Sequence, residues 1–282
     1  MKTFAARSAD ILTDSELWFV LEEMRRFSQA TRDQRVGNSD SETDDLAVGV
    51  ASDLLRGIRL DCALLTLSDA NVPHIVETLR TLASFKHGNP QHRLQFDQSE
   101  YELHMASQFE GLGQRVSFVD TRRTSHYKQR VEFMVGYKWP VECKLPLSKR
   151  RVIPNIDAAL KKLAERDQAG LICIALEQAL PMAQKPYLEV VKSEDPRSTV
   201  SQHIEPWFSK HKDILANRLQ QSCGRFIIFS YSVLTYVHDS ECVAMPSLRL
   251  ALGATGDWIE RDVIETCVRH LKQEREQAKL LD

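Results

Sequence analysis

Residues 130–146 read RVEFMVGYKWPVECKLP, and the way this run folds decides the rest of the chain. Val131, Phe133 and Val135 alternate with Glu132 and Met134; Val141, Cys143 and Leu145 alternate with Glu142 and Lys144. A period of two predicts two strands, each with one apolar face. Between them, GYKWP places Gly and Pro where a hairpin turn wants them. A turn centred on Tyr137 sets Glu132 opposite Glu142, each five residues from the centre. Directly opposed residues of an antiparallel pair share a face, with Cβ atoms roughly 4.5–5.5 Å apart. Glu132, Glu142 and Lys144 are therefore expected on one patch of a sheet.

Two opposed carboxylates repel each other and destabilise a strand pair. A divalent cation reverses the sign of that interaction. Mg²⁺ is usually held by one or two carboxylates together with waters and substrate phosphates. Bound that way it polarises a phosphoryl oxygen and lowers the pKa of a bound water. Lys144, two residues on, is placed to orient that water or to stabilise charge on the phosphate. The bland alternative is an exposed strand face that happens to carry Glu and Lys.

Upstream, SEYELHMASQFEGLG (99–113) reads as a helix ended by glycine. At about 100° per residue, Glu102 lies near the middle of an apolar face formed by Met105, Ala106 and Phe109, and Glu100 points to the polar side. A carboxylate aimed at the core is costly unless it is paired or bound to metal. The competing explanation is a capping box of Ser99 with Glu102, although Asp97 and Glu100 fit the same box slightly earlier and would release Glu102.

QRVSFVDT (114–121) is expected as a strand ahead of the hairpin, NIDAALKKLAERDQ (155–168) as a helix and AGLICIALEQ (169–178) as a buried strand after it. RFIIFSYSVLTYV (225–237) and SLRLALGA (247–254) add two more strands, and WIERDVIETCVRHLKQEREQAKLL (258–281) a closing helix. The segment KSEDPRSTVSQHIEPWFSKHKD (192–213) has no strand pattern and reads as an insertion or lid-like loop. Helix, three strands, helix, strand points to a sheet with helices packed on it.

The first ninety residues read as helices. Thr13 and Glu16 form a capping box before LWFVLEEMRRF. The polar stretch SQATRDQRVGNSDSETDD (28–45) looks like a loop, and DDLAVGVASDLLRGIRL (44–60) and NVPHIVETLRTLASF (71–85) have helical spacing of apolar residues. KHGNPQH (86–92) is the best boundary signal, dividing a helical N-terminal region (1–90) from a second domain (91–282).

The 282 residues are enough for a sizeable core, and 43% hydrophobic with 27% charged is ordinary for a soluble globular protein. No run of about 18 apolar residues suggests a membrane span. MKTFAARSADILTDSE, at the N-terminus, lacks the apolar stretch of a secretion signal. The six cysteines (62, 143, 173, 223, 242, 267) show no CxxC or CxxH pairing, which argues against structural zinc or a disulfide framework and suits a cytoplasmic location. The net charge of −2 does not suggest a nucleic-acid binder, but its distribution does. From Arg115 to Arg151 there are ten basic residues and three acidic ones, a local excess of seven positive charges. Phosphate backbones are held by such local charge, although a solvated loop face would look the same.

These residues together resemble the PD-(D/E)XK nuclease superfamily, the restriction-endonuclease-like proteins. YELHMASQFEGLGQRVSFVDT looks like the superfamily's opening helix and strand. RVEFMVG followed by VECK resembles its acidic residue and (D/E)xK motif, and IDAALKKLAERDQAGLICIAL resembles the helix and strand that come next. The similarity covers residues 99–177 or so and leaves the N-terminal third outside it. It implies an α/β fold, with a restriction-endonuclease-like mixed β-sheet flanked by helices and a helical N-terminal extension. It also implies metal ligands at Glu102, Glu132 and Glu142, a catalytic lysine at Lys144, and Mg²⁺ or Mn²⁺ as cofactor. Two departures stand out: Glu132 replaces the usual aspartate and Val131 the proline of the superfamily's name.

Lys149, Arg150, Arg151 and Lys161 are candidates for phosphate contacts, with Lys162 beside them, and a solvated charge is the competing explanation for each. His203 and His211, eight apart, suggest no metal site. His104 reads as a packed surface residue and Cys143 as core. GATGDW is in the wrong context for a phosphate loop.

The expectation is a metal-dependent nuclease that hydrolyses phosphodiester bonds of nucleic acid, with DNA foremost, working within a multi-subunit defence system. The alternative is a catalytically impaired nuclease-like module that binds nucleic acid or recruits a partner protein such as a helicase or other NTPase. A homo-oligomer is compatible with either.

Overall fold

The computed structural model describes residues 15–34, 55–67, 69–118, 132–136, 138–181, 187–190, 196–232, 234–237, 242–244 and 247–279. The chain is α/β, with seven α-helices and a seven-stranded mixed sheet among the described residues. It divides into two compact units. The first comprises Met1–Ser107, Met182–Pro196 and Ser232–Pro246; the second comprises Gln108–Pro181, Arg197–Tyr231 and Ser247–Asp282. No helix among the described residues is long and apolar enough to cross a membrane.

In the first unit α1 is Glu16–Gln34, α2 covers 55–66, α3 is Val72–Ser84, and α4, Pro90–Gly111, runs through its end. The cap of α1 is Ser15 and not the expected Thr13–Glu16 box: the Trp18 N–H donates to Ser15 Oγ at 3.1 Å. Thr13 lies outside the described residues. Glu16 instead heads the helix, buried, with an oxygen 3.4 Å from His87 Nδ1. The polar run expected as a loop from 28 continues α1 to Gln34, and 35–54 lies outside the described residues.

α4 starts at Pro90, nine residues before Ser99, so neither expected capping box exists. Proline suits a first turn because its missing N–H would have no helical partner there. Asp97, Glu100 and Glu102 are therefore all interior to the helix. Glu100 is 1% exposed, while Glu102 is only half-buried, the reverse of the expected phase. The reason lies on α2. Arg56 and Arg59, three apart, meet Asp97 and Glu100, also three apart. Arg56 Nη2 lies 2.6 Å from Asp97 Oδ1 and Arg59 Nη1 lies 3.6 Å from Glu100 Oε2, with all four residues buried. A face that carries acids matched by arginines can be buried without being apolar. His104, expected at the surface, is buried too.

The second unit is built on the large sheet. Its strands are β1 (Val116–Phe118), β2 (Phe133–Val135), β3 (Trp139–Lys144), β4 (Gly170–Ala175), β6 (Gly224–Ser232), β9 (Ser247–Gly253) and β10 (Trp258–Ile259). They lie side by side in the order β1-β2-β3-β4-β6-β9-β10. β1, β2 and β3 are antiparallel neighbours, and β4 is parallel to both β3 and β6. Every residue of β4 is buried, as a continuous apolar run between two parallel partners requires. Helix α5, Val152–Glu165, connects β3 to β4 and buries Val152, Ile156, Ala159, Leu160 and Leu163. Gly170 lets β4 begin close to its neighbours, since a Cβ there would meet Leu163 Cδ2 at 2.6 Å and the Pro140 carbonyl at 2.7 Å.

From Pro196 on, the segment expected as an insertion or lid-like loop is helical, and 192–195 lies outside the described residues. α6 spans Pro196–Gln220 and buries Val200, Ile204, Trp207, Phe208, Leu215 and Leu219 at helical spacing. Pro206 and the charged residues between those positions hide the period in the sequence. RFIIFSYSVLTYV is two strands rather than one. β6 belongs to the large sheet, whereas β7 (Leu234–Val237) lies between β5 (Tyr187–Val190) and β8 (Cys242–Ala244) in a three-stranded sheet. Trp258 and Ile259, expected in the closing helix, pair with Leu252 and Ala251, and the last helix, α7, starts at Val263 and ends at Lys279.

Candidate active site

The hairpin register is the one its turn predicts. Phe133 faces Val141, Met134 faces Pro140 and Val135 faces Trp139. Gly136, with φ of +59°, takes the left-handed conformation that the turn needs and that a side chain resists. One step further along, the Glu132 N–H donates to the Val141 carbonyl at 3.1 Å, which draws Glu132 beside Glu142. Phe133, Val135, Val141 and Cys143 are fully buried on the opposite face and hold the hairpin in the core.

The Glu142 face is not the solvent-facing one that alternation alone suggests. Glu142 is 0% exposed, and its register partner on β4 is Ile172, also fully buried. Lys144 and Glu132, at 15% and 19% side-chain exposure, lie at the edge of this covered patch. Lys144 Nζ donates to Glu142 Oε2 at 2.9 Å, to the Cys143 carbonyl at 2.9 Å and to Glu132 Oε1 at 3.2 Å.

A second ammonium joins them from α5. Lys162 Nζ lies 2.9 Å from Glu142 Oε2 and 3.7 Å from Glu132 Oε1, the same two oxygens that Lys144 engages. Its position is set by the helix: it follows Ala159 by three residues and precedes Leu163, at the border of the buried face. Lys161, one step round the helix, is exposed. That border position was the signal in the sequence that distinguishes Lys162 from Lys161.

Burial pushes the Glu142 carboxyl above the ordinary carboxylate range; Lys144 and Lys162 oppose this and Glu132 adds to it. For Lys144, burial works against the charged form, but the Glu142 and Glu132 carboxylates outweigh it and hold the ammonium well above the usual lysine value. Glu142 Oε1 is buried and accepts no hydrogen bond from any described residue. Leaving a buried acceptor unsatisfied costs on the order of 1–3 kcal/mol, more when it is charged. A group bound beside Glu142 would relieve that cost.

No match is found. Neither protein-family models, nor curated proteins, nor solved structures give one for this chain. The site therefore rests on its own geometry.

The two glutamates fit a divalent cation of the Mg²⁺ type: two hard carboxylates, one with an orphaned buried oxygen, leave the remaining positions to water and phosphate. Among the described residues, no group of three or more His, Cys, Asp or Glu side chains is placed to hold a metal ion. Glu102 belongs to the first unit, where its Oε1 accepts a hydrogen bond from Gln98 Nε2 at 2.8 Å. Lys149, Arg150 and Arg151 form a 3-10 turn, exposed, directly ahead of α5. His203 and His211 hydrogen-bond the Leu180 and Trp207 carbonyls at 3.0 and 2.7 Å.

Proposed function

We propose that this chain is a divalent-metal-dependent nuclease with a restriction-endonuclease-like core, which hydrolyses phosphodiester bonds of nucleic acid, DNA being the substrate to test first. The observation that carries this reading is the Lys144 ammonium bridging Glu132 and Glu142 on adjacent strands, beside a buried carboxylate oxygen that no described residue hydrogen-bonds. The order of α4, three antiparallel strands, α5 and a parallel strand supports the fold part of the proposal.

A bound Mg²⁺ or Mn²⁺ would polarise the scissile phosphate and lower the pKa of a water beside it. Glu132 and Glu142 would hold that ion. Lys144, kept protonated by its two carboxylates, supplies positive charge where the phosphate gains negative charge. The Cys143 carbonyl restrains the ammonium so that it does not need to be repositioned during reaction. Lys149, Arg150 and Arg151 present exposed charge to the phosphate backbone. The test is cleavage of plasmid and labelled oligonucleotides with Mg²⁺ or Mn²⁺. Wild type is expected to cleave and Glu142→Ala and Lys144→Ala to fail; activity that survives both substitutions overturns the proposal.

A second reading has an observation of its own. Two carboxylates matched by two ammoniums form a cluster that is neutral without any metal. That suits a nuclease-like module that only binds nucleic acid or recruits a partner such as a helicase. Nucleic-acid binding that is indifferent to Glu142→Ala and to chelators, with no calorimetric signal for Mn²⁺, is the outcome that selects it.

A further inference from the structure

Lys144 and Lys162 do not share the two glutamates on equal terms. Both ammoniums address the same pair of atoms, Glu132 Oε1 and Glu142 Oε2. Lys144 donates hydrogen bonds at 2.9, 2.9 and 3.2 Å, one of them to a backbone carbonyl, and its side chain is 15% exposed. Lys162 reaches the same oxygens at 2.9 and 3.7 Å from a helix, at the end of a flexible stem, and is 35% exposed. The first is anchored in the sheet; the second lies at the edge of the cluster, nearer to water.

Charge decides what this asymmetry is for. The two glutamates and two lysines sum to zero in the structure as it stands. A divalent cation added to all four would leave an excess of two positive charges within a few ångströms, in a region screened from water. Like charges at such separations repel by several kcal/mol under an effective dielectric constant of about 20. If one ammonium leaves, the excess falls to a single positive charge, which the negative charge of a phosphodiester then neutralises. The one that can leave is Lys162.

Resting on the nuclease reading above, we infer that Lys162 is a displaceable counter-ion: it holds the Glu132–Glu142 pair when no cation is bound and gives up its place when a divalent cation enters. Cation affinity is therefore set partly by a residue that is not a ligand. Lys162 works through the two carboxylates, so it is a positioning residue for the ion, and the site stays closed to cations at concentrations that a bare carboxylate pair would capture.

The experiment is Mn²⁺ binding to the full chain without nucleic acid, measured by calorimetry and by electron paramagnetic resonance of unbound Mn²⁺. Wild type, Lys162→Met, Lys162→Gln, Lys162→Arg and Glu142→Gln are compared. Removing the ammonium in Lys162→Met and Lys162→Gln is expected to tighten Mn²⁺ binding about tenfold or more. Lys162→Arg is expected to stay near wild type, and Glu142→Gln to lose binding. If Mn²⁺ binding depends on Glu142 but neither Lys162→Met nor Lys162→Gln tightens it, the counter-ion inference fails and the metal site stands. If none of the chains binds Mn²⁺, the metal-dependent reading and the inference fail together.

Discussion

The two compact units each bury a set of opposite charges, and they do so differently. In the first, Arg56 meets Asp97 and Arg59 meets Glu100 along matched faces of two helices. Each guanidinium also lies over an aromatic ring, Arg56 5.8 Å from the centroid of Phe96 and Arg59 5.9 Å from that of Tyr101. In the second, two lysines compete for the same two oxygens, Glu132 Oε1 and Glu142 Oε2, and one of the lysines is also held by a backbone carbonyl. A planar guanidinium paired with a carboxylate and stacked on a ring is how a protein buries charge for structure. Point charges crowded around two carboxylates on adjacent strands cost stability, and such costs concentrate where ligands bind. The first cluster ties two helices of one unit together; the second is the one that the proposed chemistry would use.

The contrast breaks first under substitution at the two centres. Lys144→Ala is expected to lower nuclease turnover by about 10²–10³-fold, as loss of a preorganised electrostatic group does, with a far-ultraviolet circular dichroism spectrum unchanged. Arg56→Ala is expected to destabilise the fold by about 3–5 kcal/mol, because Asp97 is left as an uncompensated buried charge. Denaturant unfolding measures it. A Lys144→Ala chain that unfolds as readily as Arg56→Ala would erase the distinction between the clusters.

Acidity sharpens it next. The pKa of Glu142 is raised on folding, so its contribution favours the folded state at low pH and is lost as pH rises through that raised value. The ionised carboxylate is thus a net cost at neutral pH. Glu142→Gln is expected to raise the melting temperature at pH 8 and to change it little near pH 4, by calorimetry, while it abolishes cleavage. Lys144 works in a different window. Its pKa is also raised, so its ion pairs contribute fully below the ordinary lysine value and are lost only as pH climbs past the raised one.

The smallest effect is expected at the surface. Replacing Lys149, Arg150 and Arg151 together by alanine should weaken nucleic-acid binding to a similar degree across sequences, and reduce the salt slope by about one for each phosphate that is no longer neutralised. Stability should stay within about 0.5 kcal/mol per substitution, since all three are exposed. Binding measured as a function of salt concentration checks the first expectation and thermal unfolding the second.

Much of the site's framework was legible in the chain itself. The alternation on either side of GYKWP gave two strands, and a turn centred on Tyr137 gave their register, because a period of two and a short connection leave little freedom. The apolar run GLICIA announced a strand buried on both faces, and AALKKLAE a helix with one buried side. The phase of α4 was not legible. Asp97 and Glu100 look like a solvent face until Arg56 and Arg59, some forty residues away in sequence, arrive to match them. α6 was hidden for a related reason: Pro206 and a scatter of lysines and histidines obscure the row from Val200 to Leu219.

The sequence by itself determined the local geometry: which residues alternate, where the chain turns, and that Glu132, Glu142 and Lys144 share a face. These follow from backbone periodicity, which neighbouring residues set among themselves. Only the tertiary structure decided what that face is. Packing of α5 against the sheet and the parallel pairing with β4 put Glu142 out of reach of water and bring Lys162 to it. Burial and charge matching depend on what comes from elsewhere in the chain, and it is burial that sets this Glu-x-Lys strand apart from an ordinary exposed one.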